Sequence, residues 1–338
     1  DQLLPRIIGI ELMLPALALA QIQLAAQLAR TGFRFEREGK LHYYLGNTLD
    51  RPFLVEERLG CDEARVTVVV GNPPFSGVSW NRQTWLRDLL RGRSPDGREV
   101  VANYFVVDGQ PLGERKHWLE DDYVKFIRYA HWQLERSGAG VIGLVTNHGF
   151  HDNPTFRGMR QQLLQRFPQV TIVDLHGNAK NRERTPDGKA DQNVFAIEQG
   201  VAVSLLRCGK ARPSAERIEH LDLWGSRAGK LKTLQEESFQ PLEGQVLHPV
   251  APYYFLAPKQ LAGSAEYERG YRLCDVMPVN STAAVTARDH FLIAFDEQEL
   301  LGRLGEFCDP AISDEEIRRR YFTRTRSARY LAGDTRGW

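Results

Sequence analysis

Four consecutive residues, Asn72-Pro73-Pro74-Phe75, carry the most specific chemistry in this sequence. The two prolines fix two φ angles and remove two N–H donors, so the turn is stiff and the Pro73 carbonyl can be aimed at a ligand. The Asn72 side chain adds a second carbonyl oxygen beside it. Two fixed acceptors suit an exocyclic amino group with two N–H donors. Phe75 offers a face on which a planar base can stack. Such an amino group, that of adenine for example, is a poor nucleophile because its lone pair is delocalised into the ring. Hydrogen bonds to two fixed acceptors favour a more tetrahedral nitrogen, whose lone pair can attack the methyl of a sulfonium donor in line. That chemistry rests on positioning and electrostatics, with no metal and no covalent enzyme intermediate. A base inside a duplex cannot reach such a pocket and must be flipped out. A purely structural turn is the competing reading. At average proline usage of about 5%, an Asn/Asp/Ser-Pro-Pro-aromatic pattern arises by chance in roughly one chain of this length in a hundred.

The motif directly follows residues 65–71 (RVTVVVG), an apolar run expected to form a strand buried on both faces. Open parallel sheets bind ligands beyond the carboxyl ends of their strands, so the motif stands where such a fold keeps its active site. Upstream, a strand is expected over 7–12, a helix from near Pro15 to Arg30, and a short aromatic strand over 42–45. Downstream, 76–119 is polar with several glycines and is expected to be an insertion. A helix over 121–136, a strand over 140–146, a helix over 156–167 and a strand over 170–175 follow. A polar loop at 177–192 then precedes an expected hairpin over 193–207. Strands alternating with helices predict an α/β fold with a mainly parallel sheet and helices on both faces. That rhythm is lost in the last part of the chain. A boundary is expected near residue 250, with 1–250 as the core and 251–338 as a separate region.

The 338 residues are 42% hydrophobic and 26% charged, which is ordinary for a globular protein. The formal net charge of +1 excludes a whole-chain basic field, so any nucleic-acid contact must come from local patches. Cys61, Cys208, Cys274 and Cys308 are scattered, which suggests neither a zinc site nor a disulfide framework and fits a reducing, cytoplasmic setting. The apolar start of the chain is interrupted by Arg6, Glu11, Pro15 and Gln21, so no membrane span or signal peptide is expected.

The motif Asn72-Pro73-Pro74-Phe75 resembles that of amino-group methyltransferases that use S-adenosylmethionine. Longer blocks narrow the resemblance: DDYVKFIRYAHWQL (121–134), GVIGLVTNHGFHDNPTFRGMRQQLL (140–164), VDLHGN (173–178) and DQNVFAIEQGVAV (191–203). These look like the corresponding parts of the large single-chain restriction–modification enzymes called type ISP, whose middle section is a gamma-class adenine-N6 DNA methyltransferase. NSTAAVTARDHF (280–291) and GDTRGW (333–338) look like that family's lead into its target recognition domain. The resemblance implies a Rossmann-like methyltransferase sheet followed by the start of a target recognition region, with S-adenosylmethionine as cofactor and double-stranded DNA as partner. It implies that Asn72, Pro73, Pro74 and Phe75 hold the target adenine. Glu11 would hydrogen-bond the cofactor ribose, and Asn47 and Thr48 would contact its adenine. Gamma-class enzymes commonly carry an aspartate where this chain has Asn47. The family's glycine-rich loop, Phe-x-Gly-x-Gly, should precede Glu11 by about twenty residues, and only ten residues lie before Glu11. The chain is therefore expected to be a fragment of a longer protein, with weak cofactor binding or none by itself.

Two basic stretches are candidate DNA contacts. One is the loop 180–189, with Lys180, Arg182 and Arg184; the other contains Arg318, Arg319 and Arg320 among aromatic residues. A simply solvated loop and a solvated helix face are the competing readings. His148 and His151 are three apart with no third ligand apparent, so no metal is expected. Two other functions stay open: methylation of an amino group in RNA or protein, and a catalytically inactive DNA-binding fragment.

Overall fold

The computed structural model describes residues 4–33, 42–60, 65–74, 77, 79–97, 100–114, 117–211, 213, 215–235, 244–267, 269–279 and 289–322. The chain forms two compact units, residues 1–260 and 261–338.

The first unit begins with β1 (Ile8–Glu11), helix α1 (Leu14–Arg30) and β2 (His42–Leu45). Pro15 occupies the first turn of α1, where a missing N–H costs nothing. β1 and β2 pair in parallel as a two-stranded sheet, with Glu11 opposite Leu45. Next come α2 (Leu54–Leu59) and β3 (Val68–Gly71), the strand that ends at the motif. The insertion holds α3 (Thr84–Leu90) and two small hairpins, β4 (Arg91–Arg93) with β5 (Val100–Asn103), and β6 (Val106–Val107) with β7 (Gln110–Pro111). Then follow α4 (Asp122–Ser137), β8 (Gly140–Asn147), α5 (Arg157–Arg166), β9 (Gln169–Asp174), β10 (Val201–Cys208), β11 (Arg217–Asp222), α6 (Arg227–Gln235) and β12 (Gly244–Leu247).

The main sheet has six strands in the order β12-β11-β9-β10-β8-β3. β3 runs parallel to β8 and β11 parallel to β9, while β10 is antiparallel to both its neighbours. Thus β3, β8, β9 and β11 share one direction, and β10 and β12 oppose them. The expected hairpin over 193–207 does not form. Residues 193–200 make a turn, and β10 instead enters the sheet between β8 and β9. An alternating apolar run matches either pairing, and only the neighbours available in the sheet decide between them. The expectation that β3 is buried on both faces also fails. β3 is an edge strand, and Val68 and Val70 are 60% and 80% exposed while Val69 packs on the core. β1 and β2 form their own pair rather than joining this sheet.

Helix α4 is the central pillar. Twelve of its 16 residues are buried, because two sides of it are covered. Tyr123, Val124, Ile127, Ala130 and Leu134 pack with Ile142, Leu144, Met159, Leu163, Val170 and Ile172 in the largest core cluster. Tyr129 and Trp132 meet Leu49, Leu86 and Leu89 on the other side. Each such valine, leucine, isoleucine or methionine contributes about 1.5–3 kcal/mol on burial. Gly138, left-handed at φ 78°, closes the helix and lets β8 turn back under it. A separate cluster with Val173, Leu175, Val201 and Leu221, against which Leu234 of α6 packs, covers the opposite face of the sheet.

The stretch after β12 stays with the first unit. Arg160, fully buried, donates to the carbonyls of Phe150, Asn153, Tyr253 and Tyr254 and fixes that segment onto α5. The second unit contains α7 (Ser264–Tyr267), α8 (Leu273–Val276), α9 (Asp289–Leu292), α10 (Glu297–Cys308) and α11 (Asp314–Tyr321). Phe291, Ile317 and Phe322 form its core, with Phe307 and Tyr321 around them.

Candidate active site

Asn72 follows β3 directly at its carboxyl end, exposed, with Pro73 buried beneath it and Pro74 exposed. Phe75 lies outside the described residues, as do residues 280–288 and 333–338 of the stretches that resemble the target-recognition region.

The loop that leaves the motif is held by the start of α4. The Gly77 N–H donates to Asp121 Oδ2 at 3.0 Å. Ser79 Oγ and Asn81 Nδ2 both donate to Asp122 Oδ1, the latter at 2.9 Å. Lys125 Nζ donates to Ser79 Oγ and to the Asn81 carbonyl. Asp121 is the helix N-cap residue, yet its side chain makes no capping bond; it serves the loop instead. Burial raises the Asp121 pKa against the backbone donors that oppose it. Burial likewise lowers that of Lys125, with Asp122, Glu120 and Asp121 opposing. Sequence reasoning placed this stretch on a helix but assigned none of Ser79, Asn81, Asp121, Asp122 or Lys125 to the site. Acidic residues at a helix start are read as local, and nothing in their spacing reveals a loop about forty residues away.

The residues expected at the cofactor gather at one end of the β1–β2 pair. Glu11 ends β1, and its Oε1 accepts from the Met13 N–H at 2.9 Å, leaving the second oxygen available. The Gly46 N–H donates to the Glu11 carbonyl at 2.9 Å, which draws Asn47 and Thr48 to the same end. Asn47 Oδ1 accepts from the Leu49 N–H, and Asn47 Nδ2 donates to Asn81 Oδ1 at 2.6 Å. Asn47 therefore joins the β1–β2 end to the motif loop, a bridge that runs on through Asn81 to Asp122.

Of the candidate DNA contacts, Lys180, Arg182 and Arg184 lie on the exposed loop after β9. That loop is tied down from below. Lys230 and Asp191, both with fully buried side chains, pair at 2.7 Å, and Lys230 also donates to the Leu175 and Gln192 carbonyls. Arg184 donates to the Gly188 carbonyl, so its guanidinium is partly engaged. In the second unit Arg319 pairs with Glu316, and Arg320 pairs with Glu316 and Glu306. Those two arginines are thus partly neutralised by acids of α11 and α10, while Arg318 is half-buried.

His148 and His151 gain companions from distant strands. His148 Nδ1 lies 3.1 Å from Asp174 Oδ1, and His176 Nε2 lies 2.8 Å from Asp222 Oδ1. Burial works against a charged His176, but Asp222, Glu183 and Asp174 outweigh it and raise its pKa to about 9. The His176 ring stacks on Trp224 at 3.3 Å between centroids. Gly200 is required here, since a Cβ would meet the His148 ring at 2.2 Å. His151 and His220 stand near the same aspartate, with donor atoms of His151, Asp174 and His220 all within 4.8 Å of one another.

No protein-family model and no curated protein sequence matches the chain. Solved structures do. A DrdV–DNA complex matches 97% of this chain at TM-score 0.62 and 21% identity, over 34% of that chain. The ATP-dependent type ISP restriction-modification enzyme LlaBIII bound to DNA matches 98% at TM-score 0.59 and 20% identity, over 23% of its length. A nuclease-deletion mutant of the type ISP enzyme LlaGI, with a DNA substrate mimic, matches 94% at TM-score 0.61 and 18% identity, over 31% of its length. The chain thus spans about a third or less of each of these proteins and shares its fold with that part of them.

Proposed function

We propose that this chain is the methyltransferase core of a restriction–modification enzyme that methylates adenine N6 in double-stranded DNA. The observation that carries this reading is the placement of Asn72-Pro73-Pro74 at the carboxyl end of a sheet strand, with the following loop braced by Asp121, Asp122 and Lys125. The likeness in fold to restriction–modification enzymes supports it.

In this mechanism the adenine leaves the duplex and its amino group donates to Asn72 Oδ1 and the Pro73 carbonyl. Both acceptors are held by a turn that cannot relax, because two prolines set its φ angles and Asp122 anchors the loop behind it. The amino nitrogen is thereby held with its lone pair directed at the donor, and the preorganised dipoles favour the charge that develops there. Phe75 would stack on the base. S-adenosylmethionine, when bound, supplies an electrophilic methyl group on its sulfonium. The residues at the β1–β2 end fit that cofactor. Glu11 keeps one carboxylate oxygen for the ribose hydroxyls, and Asn47 and Thr48 stand beside it for the adenine. Lys180, Arg182 and Arg184 would contact the DNA backbone, as would Arg318, and Arg319 and Arg320 where their acidic partners release them.

The test is Asn72→Ala in the full-length protein. Methyl transfer is expected to fall at least ~100-fold, the scale of losing one preorganised donor or acceptor at a transition state, while duplex affinity stays within about twofold. Unchanged transfer would remove Asn72 from the chemistry.

A further inference from the structure

Among the described residues, the largest group of buried polar atoms without partners lies away from the motif, on the inner face of the main sheet. Residues of one strand alternate between faces, so Thr146 shares a face with Leu144, Ser204 with Ala202 and Leu206, Asp174 with Ile172, and His220 with Ile218. Those apolar partners all belong to the largest core cluster. The sheet therefore turns Thr146, Ser204, Asp174 and His220 into its own hydrophobic side. His151, from the short turn His148–His151 after β8, is buried against them. Its ring centroid lies 6.5 Å from that of His220, at 87°.

Nearly all of this polarity is unpartnered. Among the described residues, both ring nitrogens of His151 and both of His220 have no hydrogen-bond partner, and neither do Thr146 Oγ1 and Ser204 Oγ. His151 and His220 are only 1% and 3% exposed. A neutral imidazole always carries one N–H donor and one acceptor. Burying such groups unmet costs about 1–3 kcal/mol each, so a native fold keeps them only if something meets them.

We propose that His151, Asp174 and His220 bind a divalent transition-metal ion of the zinc type. Two neutral imidazoles and one carboxylate are the donor set that borderline ions such as zinc and cobalt(II) prefer over magnesium or calcium. The three donor atoms lie within 4.8 Å of one another, whereas tetrahedral ligation at a zinc–nitrogen distance of ~2.0–2.1 Å needs them about 3.4 Å apart. Binding thus requires a small inward movement of side chains, with no change of strand register. The surrounding residues suit the outer layer of such a site. Asp174 is already aimed by His148 Nδ1 and by the His176 N–H at 2.8 Å. This also separates the two possible triads. His148 and His176 each make a hydrogen bond to a carboxylate, whereas neither ring nitrogen of His151 or His220 makes one; His220 Nδ1 lies 3.8 Å from Asp222 Oδ2, beyond hydrogen-bond reach. The hydroxyls of Thr146 and Ser204 can receive hydrogen bonds from a water in the fourth position. The ligands come from the turn after β8, from β9 and from β11, so the ion would pin together the same strand ends that carry the loop 177–192. The methyl transfer needs no such ion, whose role would be to hold these strand ends together.

The experiment is metal analysis of this chain after chelation and reloading with zinc or cobalt(II). About one equivalent is expected to remain after dialysis. The cobalt form should show the visible absorption of a low-symmetry, four- or five-coordinate nitrogen–oxygen site, and zinc should raise the melting temperature. His220→Ala and His151→Gln should each lower affinity at least tenfold and abolish the thermal shift. Retention of less than a tenth of an equivalent by the unmodified chain, with no cobalt spectrum, would overturn the proposal and leave the cluster to buried water. Full binding in both variants would overturn the ligand assignment.

Discussion

In the proposed mechanism Asn72 would meet the base, while Asp122 holds the loop that leaves the motif. Asp122 Oδ1 takes hydrogen bonds from Ser79 and Asn81, and Asn81 in turn receives Asn47. Removing that carboxylate leaves two polar side chains, Ser79 and Asn81, without their acceptor. Asp122→Ala is therefore expected to destabilise the protein by about 1–3 kcal/mol. It should also lower methyl transfer at temperatures where the fold is intact. Denaturant unfolding measures the first effect, and initial rates at matched folded fraction measure the second. Full activity with full stability would show that the loop needs no anchor. The motif itself was legible in the sequence because its chemistry is contained in four adjacent residues. The anchor was not, because hydrogen bonds between residue 79 or 81 and residue 122 leave no mark in local composition.

At the scale of elements, α4 is the part whose burial has the clearest consequence. His131 lies on its inner side, 1% exposed, with Nδ1 at 3.1 Å from the Tyr104 hydroxyl. Burial, with Arg128 and Arg166 nearby, holds its pKa well below the ordinary value. An unfolded chain takes up a proton at this histidine near pH 6.5 and the folded chain does not. The stability that His131 leaves intact above pH 6.5 is therefore lost as pH falls below it, at up to ~1.4 kcal/mol per pH unit. His131→Gln should flatten that part of the stability profile between about pH 6.5 and 5. Equal slopes for the two proteins would contradict the buried, neutral imidazole. The helix was legible from its apolar periodicity, as were β1, α1, β2, β8 and β9. The errors have physical causes. β3 is rich in valine but stands at an edge with one face uncovered, and composition reports propensity without reporting neighbours. β11 (RIEHLD) places His220 in the core, where a charged-looking hexapeptide gives no apolar run to find.

At the scale of the whole molecule, the net charge of +1 leaves any DNA attraction to local patches. The loop carrying Lys180 and Arg182 is exposed, yet it is fastened by the buried Lys230–Asp191 pair, so its position is set before any partner arrives. Replacing Lys180 and Arg182 with alanine is expected to weaken duplex binding. The slope of log affinity against log salt should fall by about one for each phosphate that is no longer neutralised. An unchanged slope would take this loop out of the interface. The division into two compact units and the shared fold with parts of much longer enzymes set the context in which the chemistry must be measured.

The most direct measurement follows the methyl group itself. The full-length protein is incubated with duplex DNA and S-adenosylmethionine labelled in its methyl group, and the DNA is digested to nucleosides for chromatography. The predicted result is label in N6-methyl-2′-deoxyadenosine, with none in other nucleosides. Label in another base, in RNA or in protein, or DNA left unlabelled while the cofactor is bound, would contradict the assignment of adenine N6 as the acceptor.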